Sequence, residues 1–271
     1  MKEILRSATD HDIPAIRSLW KSSFFDSDAY LDLFFKKRFN PLYTALYCFE
    51  KEIAGMVHLL PCKVKDHGKA FYWYAVCVEP KYRGKHIFKK MSEEILRSLK
   101  NKGYISVCKP VHGLEDVYRK IGFKFSFCAK DLKIARTNKN SEDMILISEA
   151  DIIDFQNANF PSGSLLWKEN DIEYAIAENA FCGGKSLKIS VEGREACALA
   201  VLADDHNWYL DSTNLTAEFA KKYGNSICEY LNTDFFYLRK PTSPNDTDSF
   251  VSGLCDHPIA NENSELFFTL W

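Results

Sequence analysis

The sequence predicts an α/β protein built on a mixed sheet, and three observations support that prediction. Residues 71–78 are aromatic and β-branched, as strands are, and Pro80 ends the run because proline cannot donate to a strand ladder. Apolar residues then recur at helical spacing, at Ile87, Met91, Ile95 and Leu99. The third observation is that short strand-like and helix-like segments alternate along the whole chain, which is typical of α/β and α+β domains.

The predicted elements of the first 135 residues follow from apolar periodicity and from turn residues. Thr9 or Asp10 is a helix cap, residues 51–52 and 66–68 are hairpin turns, and residues 101–103 and Gly122 end helices. The predicted order is strand 4–8, helices near 13–20 and 27–38, strands 43–49, 53–64 and 71–78, helix 87–99, strand 104–108, helix 114–121 and strand 123–134.

The second half echoes that order after a polar linker at residues 136–141. The predicted elements are a strand near 147 with a following helix, strands 187–191, 196–203 and 208–211, helix 217–231, strand 235–241, and a last strand at 265–271. We interpret the echo as a second, degenerate copy of the first domain, although any α/β chain produces some similarity of this kind. The predicted domains are residues 1–136 and 142–271.

Composition and charge bound the function. The 271 residues are 46% hydrophobic and 27% charged, and the formal net charge of −2 argues against a general nucleic-acid binder. No apolar run reaches membrane-spanning length, and the start lacks a signal-peptide core. The nine cysteines are scattered without a zinc spacing, so we expect reduced core thiols, a cytoplasmic location and no metal site.

The turn between the strand at 71–78 and the helix at 87–99 is a candidate anion site. The first backbone N–H groups of a helix have no partners inside it, and the helix dipole favours negative charge there. Gly84 permits a backbone conformation that a side chain resists. Positive charge surrounds it, at Lys81, Arg83, Lys85 and, when protonated, His86.

Residues 76–88 resemble the acetyl-CoA signature of the GNAT acetyltransferase superfamily, in which Gln or Arg is followed by two residues, Gly, one residue, and Gly or Ala. Here the pattern falls on Lys81, Gly84 and His86, so two of its three positions differ. The predicted element order is also the GNAT layout. The resemblance implies that residues 83–88 hold the pyrophosphate of acetyl-CoA through backbone N–H groups, and that the backbone of 76–78 pairs with the pantetheine and faces the thioester oxygen. The implied cofactor-binding residues are Val76, Cys77, Val78, Arg83, Gly84, Lys85, His86, Ile87 and Phe88.

The segment at 117–123, a helix with a tyrosine that ends in Gly-Phe, resembles the second recurrent motif of the same family. The resemblance implies that Tyr118 is the general acid that reprotonates the CoA sulfur. We treat the Cys77 thiol as core, because nothing nearby in sequence would lower its pKa.

The base that deprotonates the acceptor is left open. The glutamate that some family members carry on the fourth strand is absent, since Tyr72, Trp73 and Tyr74 occupy those positions. The alternatives are His58, His112, Glu115, the carboxylate of Trp271, or a water chain to bulk solvent. Eight aromatic residues fall on elements that border the acceptor in this family: Phe24, Phe25, Tyr30, Phe34, Phe35, Tyr72, Trp73 and Tyr74.

The resemblance therefore implies an N-acetyltransferase that moves acetyl from acetyl-CoA directly to a primary amine of a small molecule or peptide. We expect no nucleic-acid or membrane partner and consider a homodimer. The alternatives are an acyltransferase that uses another acyl-CoA or an oxygen acceptor, and a CoA-binding sensor without turnover.

Overall fold

The computed structural model describes residues 3–137, 145–160, 162–191 and 193–259. These residues form two compact units. The first contains the chain up to Ser126 together with the segment from Gly253, and the second contains Phe127–Ser252. The chain passes into the second unit ten residues before the predicted end of the first domain, and the segment from Gly253, which was predicted to lie in the second domain, is part of the first.

The helices and strands alternate as the sequence predicts. In chain order they are β1 Glu3–Ser7, α1 Ile13–Phe24, α2 Asp28–Lys37, β2 Thr44–Phe49, β3 Glu52–Val64, β4 Gly68–Val78, α3 Ile87–Asn101, β5 Ile105–Cys108, α4 Glu115–Ile121, β6 Phe125–Ala135, β7 Ile145–Glu149, α5 Ile152–Asn157, β8 Leu165–Leu166, α6 Glu169–Phe181, β9 Lys185–Val191, β10 Arg194–Leu202, β11 Trp208–Asp211, α7 Ala217–Leu231, β12 Phe235–Pro241 and β13 Phe250–Cys255.

The first unit is a sheet in the order β1-β2-β3-β4-β5. Its strands are antiparallel except for β4 and β5, which are parallel. The end of β13 extends the sheet, because Leu254 lies opposite Cys108. This strand was not predicted from the sequence, since its pairing joins segments almost 150 residues apart.

Helices cover both faces of this first sheet. Neighbouring residues on a strand point to opposite faces. The ring of Tyr74 contacts Trp20 of α1, at 5.8 Å between centroids, whereas the ring of Trp73 contacts Phe123, which follows α4, at 5.2 Å. Helix α1 and the end of α4 therefore lie on opposite sides of β4.

The second unit repeats the strand order of the first. Its sheet runs β7-β9-β10-β11-β12, followed by β6. The strands are antiparallel except for β11 and β12, which are parallel, as β4 and β5 are in the first unit. Helix α7 follows β11 as α3 follows β4, and its apolar side packs on a core that contains Leu187, Ile189 and Phe236.

Three sequence expectations differ from the structure or lie outside it. A short 3-10 turn at Asp10–Asp12 precedes α1, so the helix begins at Ile13 rather than directly after Thr9. Helix α6 and strands β8 and β13 were not predicted. The strand expected at residues 265–271 lies outside the described residues. No helix among the described residues combines the length and apolar character needed to cross a membrane.

Candidate active site

Strand β4 bends at the point where its pairing with β5 ends. The parallel pairing stops with Trp73 opposite Cys108, but β4 continues to Val78. The register with β3 also shifts in this region, and Ala75 has a positive φ of 49°. A bulge of this kind turns the strand and releases ladder positions. The backbone of residues 75–78 is therefore presented beyond the end of β5, where an extended ligand can pair with it.

The chain then turns into α3 through two left-handed residues. Gly84 has φ 77° and His86, the residue before the helix, has φ 61°. The first helical hydrogen bond runs from Lys90 N to His86 O, at 3.0 Å. The N–H groups of the three preceding residues lie before the first intrahelical bond, and the His86 side chain makes no capping bond to them. The start of α3 is thus open to an external acceptor.

A pocket of about 300 Å³ lies at this helix start. Its lining contains six of the nine residues that the family resemblance implies for cofactor binding, and it also contains Tyr82 and Lys89. The six are Val78, Arg83, Gly84, His86, Ile87 and Phe88. The other three, Val76, Cys77 and Lys85, are not part of the lining.

The basic residues of the turn have different surroundings. Lys81 is paired with Glu52, at 2.5 Å, and Glu52 also accepts a hydrogen bond from Tyr82. Lys85 lies over the Tyr82 ring, 5.0 Å from its centroid. The guanidinium of Arg83 donates to the carbonyl of Val78, at 3.2 Å. Of the lysine and arginine residues in this region, Arg83 and Lys89 belong to the pocket lining.

Tyr118 is buried next to the place where β4 and β5 part. Its ring contacts Phe88 at 5.3 Å and Phe123 at 5.7 Å. Burial raises the pKa of its hydroxyl well above the usual value, and the thiols of Cys108 and Cys77 act in the same direction. The hydroxyl therefore stays protonated at neutral pH, as a proton donor must before it acts.

Cys77 lies on the side of β4 that faces α1. Burial raises the pKa of its thiol to about 12, and Ser23 lies beside it. Since the thiolate is the reactive form of cysteine, a pKa this high argues against a nucleophilic role. The contact with Ser23 also shows that the last turn of α1 meets the end of β4.

Two of the base candidates, His58 and Glu115, lie in environments that weaken them as bases. His58 is buried, its Nδ1 lies 2.8 Å from Thr44 Oγ1, and burial with a contribution from Arg38 lowers its pKa to about 3. Such a weak base cannot take a proton from an ammonium group efficiently.

His112, on the loop before α4, forms a pair with Glu115, the first residue of that helix. The His112 side chain is fully exposed, and its Nδ1 lies 3.4 Å from the Glu115 carboxylate. That carboxylate accepts a hydrogen bond from Gly113 N at 2.8 Å, and its pKa is lowered by the backbone N–H groups of Glu115 and Gly113. The remaining candidate, Trp271, lies outside the described residues.

The aromatic residues predicted to border the acceptor divide into core and surface. Phe34, Tyr72 and Trp73 are core residues with at most 2% exposure. The hydroxyls of Tyr30 and Tyr74 lie 2.7 Å apart. This pair is not predictable from local sequence, because 44 residues separate its members and the packing of α2 on β4 joins them.

The corresponding loop of the second unit, between β11 and α7, is closed by its own side chains. Thr213 donates to the carbonyl of Cys197 at 2.7 Å, and Asn214 accepts from Cys197 N at 2.9 Å. Thr216 caps α7 by accepting from Phe219 N at 3.1 Å. Unlike α3, helix α7 therefore satisfies part of its own start.

A charged bridge joins β11 and β12 in this unit, just beyond their last paired residues. Arg239 donates to Asp211 at 3.1 Å and to both oxygens of Asp131 at 2.9 and 3.0 Å. The matching position in the first unit is where β4 and β5 part. Within the described ranges, no group of three or more His, Cys, Asp or Glu side chains is arranged to hold a metal ion.

Comparison with known proteins agrees with this geometry. Residues 5–126 match the family model described as an acetyltransferase (GNAT) domain. A search of curated proteins found no match to the chain.

Solved structures show the same fold over nearly the whole chain. A probable N-acyltransferase from Enterococcus faecalis V583 has 14% identity and a TM-score of 0.73, covering 94% of this chain and 72% of its own. A GCN5-related N-acetyltransferase from Kribbella flavida has 15% identity and a TM-score of 0.70, covering 95% and 72%. A tandem GNAT protein from the clavulanic acid biosynthesis pathway has 8% identity and a TM-score of 0.54, covering 94% and 97%.

Proposed function

We propose that this protein, whose residues 5–126 match the GNAT acetyltransferase domain, transfers an acetyl group from acetyl-CoA directly to a primary amine. The observation that carries the proposal is the pocket at the open start of α3, directly after the part of β4 that continues beyond β5. A diphosphate fits the first feature, because unpaired N–H groups at a helix start bind anions. An extended pantetheine chain fits the second.

The chemistry follows from the groups placed there. The amine nitrogen attacks the thioester carbonyl, the carbon–sulfur bond breaks, and the CoA thiolate leaves with the electron pair. A backbone N–H at residues 76–78 stabilises the carbonyl oxygen as it gains charge. Tyr118 then gives its proton to the thiolate and regains one from solvent or from the acceptor. No acyl-enzyme forms, which agrees with the protonated state of Cys77.

Tyr118 suits this role despite its raised pKa. A phenol in water has a pKa of about 10 and a thiol about 8.5, so the transfer is slightly uphill there. The burial that raises the pKa of Tyr118 also disfavours a thiolate beside it, because both anions lose water. The two pKa values therefore rise together, and the proton transfer stays accessible.

We propose one CoA site in each chain. The second domain has the same strand order, but Thr216 caps α7 and Thr213 and Asn214 bind the loop to β10. These bonds occupy groups that would otherwise face an anion. All nine cysteines are free thiols, which fits the proposed location in the reducing cytoplasm. A homodimer stays a prediction.

A second candidate is a CoA-binding protein without turnover. It is favoured by the weakness of two base candidates, since His58 has a pKa of about 3 and Glu115 accepts a hydrogen bond from the backbone N–H of Gly113. A water chain would replace these groups in an enzyme. An acyltransferase with another acyl-CoA or an oxygen acceptor shares the same CoA site.

The experiment measures the release of the CoA thiol from acetyl-CoA in the presence of each member of a panel of primary amines and alcohols. Mass spectrometry identifies the products. Cys182 is the exposed cysteine, so a Cys182→Ser protein reduces the background in a thiol assay. We expect amine-dependent release and an amide product. Tight CoA binding with no release for any acceptor, and no effect of Tyr118→Phe, would support the binding protein instead.

A further inference from the structure

The turn between β4 and α3 is fastened to the first residues of strand β3. Directly after β4 ends, Glu79 N donates a hydrogen bond to Ala54 O at 3.0 Å. Three residues later, the hydroxyl of Tyr82 donates to Oε2 of Glu52, the first residue of β3, at 2.6 Å. Glu52 is thus the side chain through which β3 holds the turn just before residues 83–86.

The Glu52 carboxylate contacts two side chains of this turn at once. Its Oε2 accepts the hydrogen bond from Tyr82 and also lies 2.5 Å from Lys81 Nζ. The Tyr82 ring contacts the Phe49 ring at 5.4 Å, and Lys85 Nζ lies over these two rings, at 5.0 and 5.8 Å from their centroids. Tyr82 is therefore held both by its hydroxyl and by its ring.

Tyr82 connects Glu52 to the pocket at the start of α3. Its hydroxyl is bound to the carboxylate, and the residue itself belongs to the pocket lining, which Glu52 does not. The carbonyl of Tyr82 accepts a hydrogen bond from Lys85 N at 3.4 Å and so closes the turn that contains the left-handed Gly84. A shift of Tyr82 would therefore move the backbone that leads into the helix start.

The charge of Glu52, taken alone, would oppose the binding of an anion. A carboxylate near a diphosphate repels it, and the same carboxylate neutralises Lys81, which would otherwise attract it. A residue that acted through its charge would weaken the binding of CoA, whereas a residue that holds the turn in place would strengthen it. The two roles therefore predict effects of opposite sign when the side chain is removed.

We propose that Glu52 is a positioning residue for the acetyl-CoA site, because it holds Tyr82 and thereby keeps the turn in the conformation that presents the N–H groups of the α3 start to the diphosphate. The inference rests on the proposed function and adds a residue that lies outside both the signature segment and the pocket lining. Glu52 acts through Tyr82 and has no contact of its own with the ligand.

The test titrates CoA calorimetrically into the normal protein and into Glu52→Ala, and measures steady-state kinetics of both with acetyl-CoA. We expect Kd for CoA and KM for acetyl-CoA to rise about fivefold in the variant, the size of one lost hydrogen bond. The loss should fall on KM rather than kcat, because Cys77 and Val78 keep their own pairing with β3. Tyr82→Phe removes the other half of the bond and should give the same rise.

Three further variants separate position from charge. Glu52→Gln keeps an oxygen that can accept from Tyr82 but loses the charge and releases Lys81, so Kd for CoA should be normal or lower. Glu50→Ala is the matched control, since it removes an exposed carboxylate from the same β2–β3 turn, and it should also leave Kd normal or lower. Glu52→Ala combined with Tyr82→Phe should raise Kd no further than either change alone, because both remove one interaction.

The outcomes that contradict the role of Glu52 differ from those that contradict acetyl transfer. A lower Kd in Glu52→Ala, or an equal rise in Glu50→Ala, would overturn the positioning role in favour of charge. An unchanged Kd with a lower unfolding midpoint would make Glu52 a purely structural residue. If the normal protein binds CoA without turnover, the proposed transfer fails, but the Kd values still decide the role of Glu52. Absence of CoA binding by the normal protein would overturn both.

Discussion

The ring of Phe88 lies edge-on to the ring of Tyr118, with centroids 5.3 Å apart and planes at 73°. Phe88 belongs to the first turn of α3, which lines the proposed pyrophosphate pocket, and Tyr118 belongs to α4. The contact joins the element that would hold the diphosphate to the proposed proton donor. Aromatic pairs prefer such edge-on geometry, so this contact fixes the orientation of Tyr118 relative to the helix start.

Tyr118→Phe should lower kcat about a hundredfold, because the loss of a positioned acid removes a typical contribution of that size. The phenyl ring keeps its contacts with Phe88 and Phe123, so KM for acetyl-CoA and the unfolding midpoint should change little. Steady-state kinetics with a thermal melt measures all three. Unchanged turnover would mean that water reprotonates the CoA sulfur.

His86→Gly should stabilise the protein by about 1 kcal/mol, since the left-handed conformation of His86 strains any residue with a Cβ. Denaturant unfolding measures the free energy, and titration with CoA should show binding that is equal or tighter.

His86→Ala is the matched control for that experiment. Alanine keeps the Cβ and so keeps the strain, and it should give no gain in the free energy of unfolding. A gain in both variants would show that the imidazole itself destabilises the turn, and the strain argument would then be wrong.

Thr216→Ala should destabilise the protein by about 1 kcal/mol, because it removes the hydrogen bond that Phe219 N donates to the cap of α7. Thr216→Ser keeps a hydroxyl at the same position and should retain most of that stability. Calorimetry should give one CoA for each chain in both proteins. Binding of a second CoA by either the normal protein or the Thr216→Ala protein would contradict a single site in the first domain.

Because His58 is buried, the free energy of unfolding should fall at acidic pH. Its pKa is about 3 in the folded protein and about 6.5 in an unfolded chain. Above pH 6.5 it is neutral in both states and contributes no pH dependence. Between pH 6.5 and 3 the unfolded chain binds the proton more tightly, so this residue lowers the free energy of unfolding as the pH falls.

The measurement is urea unfolding of the normal protein and of His58→Asn at pH 7 and pH 5. We expect the normal protein to lose about 2 kcal/mol more than the variant over those two pH units, since one pKa unit corresponds to about 1.4 kcal/mol. Equal losses would show that His58 is solvated or charged in the folded state.

Local patterns predicted most of the elements and part of the candidate site. The periodicity of Ile87, Met91, Ile95 and Leu99 predicted α3, and all four side chains are buried. The glycine at 84 predicted a turn that has a positive φ. Such signals are readable because they depend on neighbours within a few residues. The predicted cofactor residues of the pocket lining all lie within eleven positions of one another for the same reason.

Long-range contacts were not readable in this way. Strand β13 joins the first sheet where Leu254 lies opposite Cys108, and the sequence around these two residues does not predict the pairing. The same holds for the Tyr30–Tyr74 hydroxyl pair and for the ion pairs of Arg239. The 87% exposure of Phe25 is also a tertiary property, since an apolar residue at the end of an amphipathic helix is normally expected to be covered.

The sequence alone determined the strand–turn–helix unit at 71–99 and predicted an anion site at its turn, because helix periodicity, glycine conformation and helix-end N–H groups are local properties of the chain. Tertiary structure decided which helix start is open and which is closed. His86 leaves α3 uncapped, whereas Thr216 caps α7 and side chains bound to β10 close the loop before it. It also decided the protonation of Tyr118 and His58, because burial sets the energy of a charge through contacts made by distant segments.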